Sequence, residues 1–475
     1  MRLEKAKYAQ AVLPENKGNP LIEALPTKST VEEIMNKFSH YPALSSDIRY
    51  KLDTSEREEY LVRISTLRQP LYIYYDCYQA IERAIKAGYS NKNPFSPTTN
   101  QYLHYPVDET PPVAPSTGFF VPKGEGLTLV GDSGLGKTCM LEQVLNYFPQ
   151  VIEHNKYKNK QVPCKYQVVW IKVDCPTKSS VRELCEEILV SLDTAVRQPF
   201  FTKPANTIPK LLRQIEQKIK SSFLGILVID EMQNLEFTRT GGENNLLKFL
   251  HNLVNKLGVP LFFCANPPFD ESLSSTLRNA RRAESGGYFN MYPLKRNGED
   301  WNDFIEELWQ LQWTNEVTEL TDVLNDKIYE LSVGNMDMAC RIYREAQRLV
   351  IGTDNEKINE ATLEYACDIS CGLSSRTSEI MNRKLEIKKP RRNRGEPAQT
   401  TKPLKNETKQ KIINDFDRIQ HPEFEQTLRE LQTTTRLLEN IVDPNLVRNA
   451  RHEADLLQYF ESKNILFSDP DKQLQ

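Results

Sequence analysis

The sequence predicts an α/β fold: a parallel five-stranded sheet flanked by helices, followed by an all-helical lid. Three observations predict it. Between residues 118 and 297, short apolar runs alternate with helical patterns; the runs are GLTLVG, QVVWIKV, GILVID and PLFFCAN. The first run leads into a glycine-rich turn, and the third ends in two carboxylates. From 298 to 372 the periodicity becomes wholly helical, as in DWNDFIEELWQLQW and DMACRIYREAQRLV. Strands alternating with helices are the pattern of βαβ units that stack helices on both faces of a sheet.

The elements follow in chain order. Residues 1–92 form a helical extension, in which EREEYLVRISTLRQ and YDCYQAIERAIKAGY place apolar residues at three- and four-residue steps. Residues 93–117 form a polar connector punctuated by Pro94, Pro97, Pro106, Pro111, Pro112 and Pro115. After the sheet and lid, residues 373–412 lose apolar periodicity and become basic, which reads as a partly disordered linker. Residues 413–475 form a polar tail with a helical pattern in EFEQTLRELQTTTRLLENI, expected to serve a partner rather than the core.

Composition bounds the function. The 475 residues are 39% hydrophobic and 26% charged, with a net charge of −3, so any basic site must be local. No apolar stretch approaches the roughly 20 residues that a membrane span needs. The N-terminal MRLEKAKYAQAVLPENKGN has no apolar core, so no secretory signal is expected there. Nine cysteines are scattered without a C-x-x-C pair, as expected of reduced core thiols in a cytoplasmic protein with no structural metal.

The turn after GLTLV is the most informative stretch. GDSGLGKTCM carries the spacing G-x-x-x-x-G-K-[ST] between a strand and a helix, which is the setting that a phosphate-binding loop requires. Gly131, Gly134 and Gly136 let the backbone N–H groups of Asp132, Ser133, Leu135 and Cys139 and their neighbours curl round phosphate oxygens. Lys137 supplies a charge to the β- and γ-phosphates, and Thr138 a hydroxyl to Mg²⁺. ATP and Mg²⁺ are therefore the expected cofactors. Asp230, at the end of ILVID, would hold the Mg²⁺ through water, and Glu231 next to it would orient and deprotonate the attacking water. The additional strand between the two motifs and the glutamate base place the chain among P-loop ATPases with an inserted strand. Asn266, at the tip of PLFFCAN, would sense the γ-phosphate. Arg278, Arg281 or Arg282 would complete the site of a neighbouring subunit. In the lid, Asp337 stands where an arginine facing the γ-phosphate is often found, with Arg341 one turn later, so a second sensor is either absent or displaced.

A local nucleic-acid contact is expected near residue 178. Ser180 and Glu183 form a capping box, and Val181, Leu184, Cys185, Ile188, Leu189 and Leu192 follow as a core face. Lys178 and Ser179, just before that helix, would meet a backbone phosphate, with Lys172 the next candidate. Lys156, Lys158, Lys160 and Lys165 form a further basic run.

QVVWIKVDCP, VIDEMQNL and AIKAGYSNKNPF resemble the TnsC/TniB group of AAA+ transposition regulators, over about residues 30–350. The phosphate loop is generic, whereas WIKVDCP and DEMQNL are the more specific elements. The long terminal extensions resemble the TnsC proteins of Tn-seven-like elements. The resemblance implies an AAA+ ATPase that forms rings or filaments on duplex DNA, in the nucleoid of a bacterial cytoplasm. It would link a TnsD/TniQ-type target selector to a TnsA/TnsB-type transposase, largely through its terminal extensions. Two other readings stay open. A replication initiator or helicase loader usually carries a compact DNA-binding module after its lid, a pattern not seen in residues 376–475. A signalling switch would turn over slowly, which the glutamate argues against and the missing sensor arginine for.

Overall fold

A computed structural model describes residues 3–27, 29–43, 48–97, 99, 124–175, 180–197, 201–234, 254, 257–267 and 284–371. The chain divides into a unit of Met1–Lys389 and a unit of Pro390–Gln475, and every described residue belongs to the first. The basic linker and tail expected from 373 onward lie outside the described residues, as does most of the proline-rich connector.

The central sheet has five strands: β1 (Gly126–Gly131), β2 (Trp170–Asp174), β3 (Ile226–Asp230), β4 (Leu261–Ala265) and β5 (Gly287–Met291). Their spatial order is β5-β1-β4-β3-β2, and every pairing is parallel. So β4 is inserted between the strand that leads into the phosphate loop and the strand that ends in Asp230. The inner strands β1, β3 and β4 are buried along their whole length, which is why they read as unbroken apolar runs. All five strands end on one side, and the crevice beyond the carboxyl ends of parallel strands is where such sheets hold ligands.

Helices cover both faces. On one side lie α3 (Val181–Ala195) and α4 (Ile208–Ser222), packed on Ile171, Val173, Leu227 and Ile229. The capping box holds, with Glu183 N–H donating to Ser180 Oγ at 3.3 Å and Ser180 N–H to Glu183 Oε2 at 2.8 Å. The expected core face of α3 is buried in full. On the other side lie α1 (Tyr72–Ser90) and α2 (Lys137–Tyr147), in one apolar cluster with the lid helices α5 (Glu299–Gln310), α6 (Asp322–Ser332) and α7 (Met336–Val350).

Two expectations are corrected. QVVWIKV is not one strand. Tyr166–Val168 joins a small sheet with Leu3–Lys5 and Val151–Glu153, and only Trp170–Asp174 enters the central sheet. At the junction the chain changes partners: Val169 N–H donates to Gln150 O at 2.9 Å, while the amides of Gly225 and Ile226 pair with Val168 and Val169. The N-terminal extension is likewise not purely helical, since Leu3–Lys5 pairs parallel with Val151–Glu153. Nor does it stand apart from the core. Tyr89 is fully buried and its hydroxyl donates to Phe223 O at 2.9 Å, under the start of β3.

The extension is also tied to the lid. Arg57 forks onto Glu356 at 2.6 and 2.9 Å, with side chains only 4% and 6% exposed. Glu356 also accepts from Asn315 N–H at 2.6 Å and Gly352 N–H at 2.8 Å. These bonds outweigh burial and hold its carboxyl below the ordinary 4.5. Replacing one member of a buried pair strands the other charge, so Arg57→Met should destabilise the chain by about 3–5 kcal/mol in urea unfolding. The stabilisation is present above the unfolded carboxyl value and lost as pH falls through the depressed folded one. The wild-type advantage over Arg57→Met should therefore shrink below about pH 4.5.

Candidate functional site

The turn after β1 carries Gly134 and Gly136 at φ of 83° and 88°, a left-handed backbone that glycine adopts without strain. Gly136 caps α2, so the N–H groups of the first helical turn open toward the loop. Lys137 begins α2 and is almost fully buried. Its ammonium donates to Gly131 O at 2.7 Å and Asp132 O at 2.8 Å, folding the side chain back along the loop. Burial pulls it below the ordinary lysine value, against the opposing effect of Cys264, Glu231 and Asp230. Leu135 is buried and anchors the loop, whereas Ser133, Gly134 and Cys139 face a cavity.

The carboxylates meet this loop at the end of β3. Thr138 Oγ1 donates to Asp230 Oδ2 at 3.2 Å, and Asp230 is 2% exposed. Glu231 turns out of the strand in a left-handed conformation, φ 55°, with its N–H donating to Asp230 Oδ1 at 2.9 Å. A non-glycine residue in that region is strained by roughly 1–3 kcal/mol, and such strain gathers at functional sites. Gln233 Nε2 donates to the Glu231 carboxylate, and Gln233 Oε1 accepts from Asn266 N–H at 2.9 Å. Gln233 thus joins the tip of β3 to the residue just past β4. Sequence reasoning gave it no role, although it lies inside the DEMQNL element.

A cavity of about 310 Å³ unites three parts of the chain. The loop and α2 contribute Ser133, Gly134 and Gly136 to Cys139, the strand tips Glu231 and Asn266, and the lid Phe304, Met336, Asp337, Cys340, Arg341 and Arg344. The N-terminal extension adds Ile64, Leu67, Arg68 and Tyr74. Apolar walls with a few convergent polar groups are the usual make-up of a small-ligand site. The position of Arg68 had no local signal in the sequence, because only the packing of the extension brings it here.

The lid touches the loop directly. Asn335 caps α7, accepting from Met338 N–H at 3.1 Å, and donates through Nδ2 to Ser133 O at 3.0 Å. Asp337 N–H donates to Gly134 O at 3.2 Å. A Cβ on Gly134 would fall 2.8 Å from Asn335 Oδ1, so this glycine is needed for closeness as well as conformation. Asp337 pairs with Arg341 at 2.9 Å, and both line the cavity together with Arg344. The cavity therefore has lid arginines one and two turns beyond the position where one was sought.

Lys172 is not on an open basic surface. Its ammonium sits 2.5 Å from Asp174 Oδ1 and 3.2 Å from Asp230 Oδ2. Two carboxylates thus engage the charge of Lys172, the residue expected as the next candidate for a DNA contact. Lys178 and Ser179, and Arg278, Arg281 and Arg282, lie outside the described residues. The cysteines are free thiols, all buried except the half-buried Cys139 and Cys340. Among the described residues no helix is long and apolar enough to cross a membrane.

Residues 124–273 match the AAA domain family, and the fold is that of an AAA+ P-loop ATPase. Among solved structures, the chain is similar to Cdc6p from Pyrobaculum aerophilum at 14% identity, covering 64% of this chain and 68% of that one, with a TM-score of 0.40. It is similar to the ORC1 protein of Aeropyrum pernix in complex with DNA at 16% identity, covering 74% and 81%, with a TM-score of 0.33. It is similar to a RuvB variant of Thermotoga maritima at 14% identity, covering 55% and 70%, with a TM-score of 0.33. At such values the likeness is one of chain path alone. No curated protein matches the chain in sequence.

Proposed function

We propose that the chain is an ATP-hydrolysing, DNA-associated AAA+ regulator of transposition. It oligomerises on duplex target DNA and links a TnsD/TniQ-type selector to a TnsA/TnsB-type transposase. The observation that carries this reading is the convergence of the two family-specific elements on one site. WIKVDCP supplies Lys172 and Asp174 beside Asp230, and DEMQNL supplies Glu231 and the bridging Gln233. The resemblance thus rests on residues at the site as well as on a generic phosphate loop.

The residues present fit a magnesium-bound nucleotide. Thr138 and Asp230 offer a hydroxyl and a carboxylate side by side, the donor set that Mg²⁺ takes in P-loop proteins. The metal would neutralise phosphate charge. Lys137 would grip the phosphates, Asn335 and the N-terminus of α7 would close over the loop, and the apolar wall with Tyr74 would receive the base. Glu231, held by Gln233, would orient the attacking water, with Asn266 alongside. One of Arg278, Arg281 and Arg282 would reach the site of the next subunit. Lys178 and Ser179 would meet the DNA backbone, and the tail from 413 would tether the transposase.

Electron microscopy of the full chain with duplex DNA and a non-hydrolysable ATP analogue tests this. Rings or filaments that form only with both, and on unrelated DNA sequences, are the expected result, since backbone contacts carry no sequence information. Particles that ignore DNA, or that form only on one sequence, would rule the reading out. The former would favour a nucleotide switch, the latter an initiator.

A further inference from the structure

We propose that Lys172 is a resident counter-ion of Asp230, one that a magnesium ion must displace and that Asp174 then holds. The inference builds on the nucleotide reading above.

The strand register creates the situation. Asp174 and Asp230 stand directly opposite each other at the ends of β2 and β3. Like charges facing across a ladder repel. Asp230 is buried, and a buried carboxylate needs a compensating charge or several donors. Lys172 precedes Asp174 by two residues, so both side chains leave the same face of β2. Its ammonium lies between the two acids, 3.2 Å from Asp230 Oδ2 and 2.5 Å from Asp174 Oδ1. Lys137 gives its hydrogen bonds to two backbone carbonyls.

The contact falls on the atom that matters. Asp230 Oδ2, which Lys172 faces, is also the oxygen that accepts from the Thr138 hydroxyl. Thr138 and Asp230 are the pair assigned to the metal. A divalent cation held by this carboxylate, and an ammonium 3.2 Å from its Oδ2, would repel each other strongly in a site so little exposed. Lys172 has a place to retreat to. Asp174 is 68% exposed on its side chain, and the bond to it is already formed. The exchange needs only a side-chain rotation toward solvent, and no strand has to move. Lys172 therefore keeps metal affinity low, and Asp174 eases its departure.

The two residues should then act with opposite sign. A fluorescent ATP analogue is bound to the full chain at fixed concentration, and MgCl₂ is titrated from an EDTA reference. Lys172→Met should lower the magnesium midpoint on the order of tenfold, within the usual range of coupling between two ligands. Asp174→Asn should raise it, because Lys172 then has only Asp230. Lys172→Arg should keep the wild-type midpoint. If Lys172 is instead a permanent brace of the strand ends, Lys172→Met leaves the midpoint unchanged or raises it, and the proposal falls. Should that variant fail to fold, an unchanged or lowered midpoint in Asp174→Asn overturns it as well. A wild-type chain whose nucleotide binding ignores magnesium would sink the nucleotide reading itself, and this inference with it.

Discussion

Lys137→Ala should abolish nucleotide binding, and with it every nucleotide-dependent assembly. The ammonium is the one buried positive charge on the loop, held in place by Gly131 O and Asp132 O at 2.7 and 2.8 Å. Its partners are neutral carbonyls, so moving to phosphate oxygens replaces neutral acceptors with charged ones. Charge-assisted hydrogen bonds are roughly twice as strong as neutral ones, and burial has already pulled this lysine below its ordinary value. Phosphate contact therefore relieves a strained charge. Loss of affinity on the order of a hundredfold or more is expected, equivalent to about 3 kcal/mol. Folding should survive, because Lys137 itself lines an open cavity, from which water can take the place of its ammonium. The measurement is titration of a fluorescent ATP analogue, with a thermal melt as control. A variant that melts like wild type and still binds within a few-fold would show that the grip lies in the backbone of the loop. A variant that still forms the same ATP-dependent particles on DNA would overturn the link between this site and assembly.

The sheet and its phosphate loop were legible because their causes are local. β1, β3 and β4 are buried on both faces, so each had to be a short apolar run bounded by polar residues. The loop needs glycine where φ is positive, and Gly134 and Gly136 stand there. The capping box at Ser180 is equally local, a matter of residues three apart. What stayed hidden depends on distance along the chain. β5 is an edge strand of mixed exposure, GYFNM, and gives no clean run. Arg68 reaches the cavity only because residues 61–66 pack on α7. Lys172 reads as a candidate DNA contact, since nothing in WIKVDCP alone says that Asp174 and Asp230 will align across two strands. Gln233 stood in plain view inside DEMQNL, but its use required knowing that β4 lies beside β3.

The second large effect is expected at Glu231. Glu231→Gln preserves size and backbone but removes the carboxylate proposed as the base. The residue sits in a left-handed conformation just beyond β3, fixed by its own N–H bond to Asp230 Oδ1 at 2.9 Å. None of that depends on the carboxylate charge. Gln233 Nε2 now donates to Glu231 Oε2, and a glutamine at 231 can offer its amide oxygen to the same donor. The site should keep its shape, bind nucleotide with unchanged affinity, and lose the ability to take a proton from water. Removal of a general base typically lowers turnover by about 10²–10⁴-fold. Phosphate release should fall by that order, while binding of the ATP analogue stays within about threefold. Particles formed on DNA should outlast those of the wild type, because ATP persists in them. Gln233→Ala should give a milder loss, since the carboxylate keeps its charge and loses only its tether to Asn266. If Glu231→Gln releases phosphate at the wild-type rate, the base lies elsewhere and the strain at residue 231 has another purpose. If it loses nucleotide affinity as severely as Lys137→Ala, the carboxylate is holding the site together rather than performing the reaction.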